Sequence, residues 1–265
     1  MTTSDRKRGR ADRRVDRQHH GIVPPYVLEA LLQHGAPAQR AVAAQTLEVD
    51  ARLRAQRSLV SADARRRSPV TAGESRAAPP RKHRSIHDCR NDDDLPGDLV
   101  RDEGGAATGD VDVDRLYDGL GSTWDLYQDL FGRNSYDDDG GTMTASAHFQ
   151  RNFANAFWDG EQFVFGDGDG TVFTSFTANV DVLAHEFTHG LISHASDLTY
   201  EDQSGALFEH LADVFGSLVK QRSATPQQTA SQADWLVAAG IFAAGINGVA
   251  LRSMVAGPAL SGTTR

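Results

Sequence analysis

Residues 182–191 read VLAHEFTHGL, and they constrain the fold more than any other part of the chain. They place His185 and His189 four residues apart, with Glu186 directly after the first histidine. On an α-helix, residues four apart lie one turn above each other on the same face. Both imidazoles can then reach one ion, and zinc accepts imidazole nitrogen within a tetrahedral set of ligands. The stretch therefore predicts a metal-binding helix at about 180–195.

A second predicted helix, at about 204–221, carries Glu209 and Asp213, again four residues apart. Glu209 is the candidate third ligand, which would leave the fourth position of a catalytic zinc for water. Asp213 is the candidate acceptor for the second ring N–H of a ligand histidine. Glu186 is the candidate general base. The alternatives are two unrelated surface histidines and a solvated acidic face, although the apolar neighbours of Glu209 and Asp213 favour burial.

Charge is distributed unevenly along the 265 residues. Residues 1–85 hold 18 Lys and Arg against 8 Asp and Glu, whereas residues 86–265 hold 9 against 28. A basic leader can bind nucleic acid, but this one lacks interleaved aromatic residues or a reader motif, so no nucleic-acid partner is expected. The single cysteine, Cys89, excludes an intramolecular disulfide. No apolar run reaches the ~18 residues that span a bilayer, and no apolar segment typical of a secretory signal follows the basic N-terminus.

We predict four segments, of which the leader and the linker follow from composition and turn residues, and the end of the third follows from the extent of the resemblance described next. They are a basic leader with two short helices at 1–58, an Arg- and Pro-rich linker with a cleavage region at 59–85, a catalytic domain at 86–254, and a tail at 255–265. Pro and Gly positions predict that the first helix begins at Pro24–Pro25 and ends at Gly35. A later helix is predicted to end at Gly132, and Asp159–Gly160 predicts a β-hairpin between two aromatic-rich runs.

The stretches DVLAHEFTHGL and LTYEDQSGALFEHLADVFGSLVKQ resemble the thermolysin-like neutral zinc metalloendopeptidases. The resemblance extends to RNFANAFWDGEQFVFGDGDG before them and to ADWLVAAGIFAAGINGVALRSM after them. IVPPYVLEALLQHG resembles the short propeptide of protealysin-type precursors. Together these stretches cover about 19–58 and 86–254. They imply an α+β fold, in which an antiparallel-sheet domain carries the two zinc-bearing helices and follows a separate unit of propeptide helices.

The resemblance implies a zinc-dependent endopeptidase that binds one Zn²⁺ and cuts before hydrophobic residues, with Glu186 as general base. Peptides or proteins would be its substrates and its own propeptide an intramolecular inhibitor. No membrane partner is expected, secretion is implied, and cytoplasmic retention is the alternative. Further implied site residues are Tyr200 and Arg252 in catalysis, Asn155 and Ala156 on a substrate-binding edge strand, Phe173, Phe176 and Val182 near an apolar pocket, and Asp181 and Asp234 in at most one weak calcium site. Plain core is the alternative for the three apolar residues.

The resemblance stops after Met254. In the family, a C-terminal helical domain follows and supplies a histidine that stabilises the transition state. The last of the ten histidines in this chain is His210, so none is available for that role. We therefore expect the C-terminal helical domain to be absent. The alternative function is a truncated, catalytically weak or inactive zinc-binding pseudoenzyme.

Overall fold

The structure, a computed structural model, describes residues 21–67, 79–196, 198 and 202–255. Its elements in chain order are the helices and strands α1 (Pro25–His34), α2 (Pro37–Arg67), β1 (Arg84–Asp88), β2 (Asp98–Asp102), α3 (Val111–Phe131), β3 (Met143–Ala147), β4 (Ala156–Trp158), β5 (Phe163–Phe165), a 3₁₀ turn (Phe176–Ala178), α4 (Val180–Ala195), α5 (Asp202–Ser223), β6 (Leu236–Val237) and β7 (Arg252–Ser253). Among these described helices, none is long and apolar enough to cross a membrane.

The sheet is mixed, so the prediction of an antiparallel sheet is wrong. Its strand order is β2-β1-β3-β5-β4, and β3 runs parallel to both β1 and β5. The β1–β2 and β4–β5 pairs are antiparallel, and Asp159–Gly160 lies in the predicted hairpin between β4 and β5. The physical reason is the connection between β2 and β3. Strand β2 runs back to the end of the sheet at which β1 begins, and helix α3 leads from that end to β3. Strand β3 therefore starts at the same end as β1 and runs parallel to it.

Helix α3 shows why local sequence sets its ends. The Asp110 side chain accepts the backbone N–H groups of Asp112 and Val113, which have no partner inside the helix. Gly132 takes the left-handed conformation at φ 66° and ends the helix, as predicted. The face that carries Leu116 and Leu120 is fully buried against the rest of the core.

The leader helices pack into the main core, which corrects the expectation of a separate unit. Helix α1 begins at Pro25 and ends before Gly35, as predicted. Ile22 and Leu28 are fully buried and belong to the same apolar cluster as the sheet and α4. Helix α2 continues to Arg67, beyond the predicted start of the linker at residue 59, and β1 begins at Arg84. Leader and body therefore share one hydrophobic core over the described residues.

Helix α4 packs closely against α5 and against α3 because a glycine lies at each of these contacts. A Cβ at Gly216 of α5 would lie 2.6 Å from the backbone oxygen of Asp181 in α4. A Cβ at Gly119 of α3 would lie 2.4 Å from Leu183. Helix α4 spans the predicted range 180–195 and is buried on nearly all sides between α3, α5 and β4. This packing sets the distance between the functional side chains of α4 and α5.

Candidate metal centre

The structure brings together the three predicted metal ligands. The Nε2 atoms of His185 and His189 lie 2.9 Å apart on one face of α4. Across from them on α5, Glu209 places Oε2 3.4 Å from His185 Nε2 and Oε1 3.5 Å from His189 Nε2. One donor atom from each residue falls within 4.8 Å of the other two. The 3.6-residue helical period aligns the two histidines, and the packing of α5 against α4 brings Glu209 to them.

The donor set fits a zinc ion. Two imidazole nitrogens and one carboxylate are a ligand set of catalytic zinc sites. The Nε2 atoms of both imidazoles face each other and the carboxylate of Glu209. The Glu209 Oε1 atom is buried and has no hydrogen-bond partner among the described residues. Buried polar atoms normally have partners, so a cation bound between these three residues would explain the arrangement.

Asp213 lies behind the ligands and sets their electrostatics. Its Oδ1 is 3.0 Å from His185 Nδ1, and its two oxygens accept hydrogen bonds from Arg252 at 2.9 and 2.7 Å. Burial alone would lower the pKa of His185, but Asp213 and Glu209 outweigh it and raise that pKa to about 10. Burial alone would raise the pKa of Glu209, but His189, His185 and Arg252 lower it to about 2. A local field that favours positive charge on an imidazole also favours a bound cation.

Two further side chains lie beside the ligands. Glu186 follows His185 on α4 and is fully buried. The Phe208 ring stacks on His189 with a centroid distance of 5.2 Å and an interplanar angle of 23°. Sequence analysis assigns no role to Phe208. In the sequence, only its position directly before Glu209 indicates that it could lie at the metal centre. Tyr200, a predicted catalytic residue, lies outside the described residues.

Strand β4 forms an edge of the sheet, and the leader adds to it. Ile22 N–H donates to the Ala156 carbonyl oxygen at 3.1 Å, and Val23 N–H donates to Asn155 Oδ1 at 2.9 Å. Arg252 Nη1 donates to the Ile22 carbonyl oxygen at 2.7 Å. The predicted edge-strand residues Asn155 and Ala156 and the predicted catalytic residue Arg252 therefore all contact the same short leader segment. Sequence analysis did not predict the ion pair between Arg252 and Asp213.

The predicted pocket residues Phe173, Phe176 and Val182 are all fully buried. They belong to the same apolar cluster as Ile22 and Val23 of the leader. The Phe173 and Phe176 rings lie 5.8 Å apart. This placement is compatible with a pocket floor beneath the leader and with plain core.

A lysine lies between the two predicted calcium ligands. Lys220 Nζ donates to Asp234 Oδ1 at 2.8 Å and to the Leu236 carbonyl oxygen at 3.0 Å, and it lies 3.8 Å from Asp181 Oδ2. Burial raises the pKa of Asp181, while Lys220 acts to lower it. An ammonium group thus supplies positive charge at the place where a calcium ion would have to bind.

Comparison with known proteins identifies the family of this chain. The family model described as the thermolysin metallopeptidase catalytic domain matches residues 70–193, and the model of the thermolysin metallopeptidase alpha-helical domain matches residues 196–263. The chain belongs to the thermolysin metallopeptidase family. Members of this family use zinc, which agrees with the ligand set described above.

The chain is similar to two curated bacterial proteases and to one solved precursor structure. An extracellular metalloprotease of Pectobacterium carotovorum subsp. carotovorum is 44% identical over 235 residues, which are 88% of this chain and 64% of that protein. Protease PrtS of Photorhabdus sp. (strain Az29) is 40% identical over 236 residues, covering 89% of this chain and 62% of that protein. The structure of the precursor of protealysin from Serratia proteamaculans superposes with a TM-score of 0.75 at 41% identity, covering 89% of this chain and 65% of that one. The chain thus spans slightly less than two thirds of these relatives.

The expected absence of the C-terminal helical domain is wrong. The model of that domain matches residues 196–263, so the match begins in the loop between α4 and α5. Sequence analysis assigned α5 to the catalytic domain because its two carboxylates complete the zinc constellation. The ligands instead come from both matched regions, with His185 and His189 in one and Glu209 in the other.

Proposed function

We propose that this chain is the precursor form of a zinc-dependent endopeptidase that cuts before hydrophobic residues. The observation that carries the proposal is the convergence of His185, His189 and Glu209 into one ligand set, with Glu186 directly after the first ligand. When bound, zinc supplies Lewis acidity that brings the pKa of a water molecule towards neutrality. Glu186 is the group we assign as general base, because its carboxylate is buried on the same helix and can take a proton from the attacking water.

The substrate would bind as an additional strand on β4. The Ala156 carbonyl oxygen and Asn155 Oδ1 already accept N–H groups from the leader residues Ile22 and Val23. Main-chain hydrogen bonds at a sheet edge recognise any extended peptide, while side-chain pockets provide specificity. Arg252, which donates to the Ile22 carbonyl, would make the same contact with a substrate carbonyl.

The leader would act as an intramolecular inhibitor. It uses the hydrogen-bonding groups that a substrate strand would need, so the two cannot bind at once. Phe173, Phe176 and Val182 would line the pocket for the hydrophobic residue after the scissile bond. Tyr200 would stabilise the oxyanion of the intermediate. Secretion is part of the proposal, and a relative named as an extracellular metalloprotease supports it.

Paired zinc and activity measurements on the purified chain test this function. Elemental analysis should give about one equivalent of zinc. A quenched peptide with a hydrophobic residue after the scissile bond should be cleaved before that residue, after mild trypsin treatment to remove the leader. Glu186→Gln should retain zinc and lose activity, while Glu161→Gln at the exposed β4–β5 turn should retain both. The proposal fails if Glu186→Gln cleaves as fast as the native chain, or if neither sample binds zinc.

A further inference from the structure

Helix α2 of the leader makes a second set of contacts with the body, on the opposite side of Asn155 from the Ile22–Val23 segment. Its Asp50 carboxylate is 5% exposed and lies 3.2 and 3.4 Å from Asn155 Nδ2. One turn earlier, Thr46 Oγ1 accepts the Ala154 N–H at 3.3 Å. Gln45 Nε2 donates to Gln150 Oε1 at 3.1 Å. Three polar residues of one leader helix thus bind the loop that enters β4.

Asp50 also decides how the Asn155 amide is turned. A side-chain amide has one acceptor oxygen and one donor NH₂ group, and a carboxylate can only accept. With Asp50 on one side, the NH₂ group must face Asp50, so the oxygen must face the opposite way. There it accepts N–H groups from Val23 and Ala156, both at 2.9 Å. Asp50 therefore supports the orientation in which the Asn155 oxygen can accept from Val23 of the leader.

We propose that residues 45–50 of α2 form a second anchor that holds the leader on the body, with the Asp50 carboxylate as its central contact. Buried polar contacts of this kind matter because Asn155 is fully buried and its amide has no access to water. Removing the carboxylate leaves the NH₂ group without this acceptor or allows the amide to flip. A flip would take the acceptor away from Val23 N–H, so loss of one anchor would loosen the other.

The two anchors act together because they lie on one tethered segment. When one anchor is bound, the other is held close to its own contact site on the body, so its effective concentration there is high. Release of the leader would then require both the strand contacts at Ile22–Val23 and the α2 contacts to open. This inference rests on the proposed function only where it treats the leader as an inhibitor.

Hydrogen–deuterium exchange on the intact chain tests the anchor without requiring catalysis. Asp50→Ala should increase the exchange rate of a peptide spanning residues 21–28 by about 10-fold or more, because local opening becomes easier. Glu48→Ala, which removes an exposed carboxylate from the same helix, should stay within about twofold of the native chain. Asp50→Asn keeps an acceptor oxygen and should restore most of the protection. Peptides from β3 and β5 should be unchanged in all three variants.

Equal protection in Asp50→Ala and Glu48→Ala would overturn the proposal. So would equal loss in Asp50→Asn and Asp50→Ala, or a general loss that includes β3 and β5. Cleavage of the quenched peptide by the untreated chain provides the second measurement, and it should be faster in Asp50→Ala than in Glu48→Ala. Faster exchange without any cleavage would support the anchor and would contradict the proposed function instead.

Discussion

Replacing Lys220 by Met tests whether an ammonium group holds α4 and α5 to the segment before β6. The Lys220 Nζ atom has oxygen neighbours on Asp234, Leu236 and Asp181. Asp181 is only 2% exposed, and its oxygens accept the backbone N–H groups of Val182 and Ala238. Methionine preserves the length and apolar stem of lysine but removes the charge. The variant therefore leaves a buried carboxylate without its cation.

The expected loss of stability follows from the exposure of the partners. Removing one member of a fully buried ion pair costs about 3–5 kcal/mol. Here Lys220 is 26% exposed and Asp234 47% exposed, so water screens part of the interaction. We expect a decrease of about 2 kcal/mol in the free energy of unfolding at neutral pH.

The pH dependence gives a second check on the reasoning. Burial already raises the pKa of Asp181, and loss of Lys220 should raise it further. A carboxyl group whose pKa is higher in the folded state binds a proton more readily when folded, so lowering the pH stabilises the fold. The deficit of Lys220→Met should therefore shrink as the pH falls from 8 towards 5.

Urea unfolding followed by tryptophan fluorescence measures both effects. Arg222→Met is the matched control, because Arg222 lies on the same helix but pairs with Asp129 at the surface. Its stability should change by no more than about 0.5 kcal/mol. If Lys220→Met and Arg222→Met lose the same stability, or if the deficit does not depend on pH, the proposed role of the ammonium group is wrong.

Three further predictions concern the support of the metal centre by Asp213, the ion pair of His148, and the contact between α4 and α5. Asp213→Asn should weaken zinc binding by about 10–100-fold in a competition assay with a chromophoric chelator, whereas the control Asp129→Asn should not change it. Equal zinc affinities of the two variants would contradict the role of Asp213 behind His185. The Asp167 hydrogen bond raises the pKa of His148 to about 9. The ion pair of protonated His148 should therefore add about 2 kcal/mol to the free energy of unfolding below pH 6.5, and this contribution should disappear as the pH rises through 9. A stability difference between the native chain and His148→Gln that is constant from pH 6 to 10 would refute this. Gly216→Ala should destabilise the fold by about 1–3 kcal/mol and weaken zinc binding, because the added Cβ meets the Asp181 backbone oxygen at 2.6 Å and forces α4 and α5 apart; unchanged melting temperature and zinc affinity would show that the helices can separate freely.

The sequence was informative wherever a short-range rule decides the outcome. Helix α4 is predicted from the four-residue spacing of its histidines, and the end of α3 at Gly132 follows from a capping glycine. The convergence of His185 with His189 follows from helical spacing alone, and so does the shared face of Glu209 and Asp213. Fixed backbone periods turn these sequence separations directly into distances.

The tertiary structure decided which separate segments meet. Asp50 and Asn155 are 105 residues apart in sequence, and no local pattern links them. The mixed sheet depends on the route of α3 across it, and the position of Lys220 depends on how closely α5 approaches α4. Two histidines one turn apart are held by the backbone of a single helix. Contacts between distant segments instead depend on the packing of the whole core, because only that packing supplies the free energy that brings those segments together.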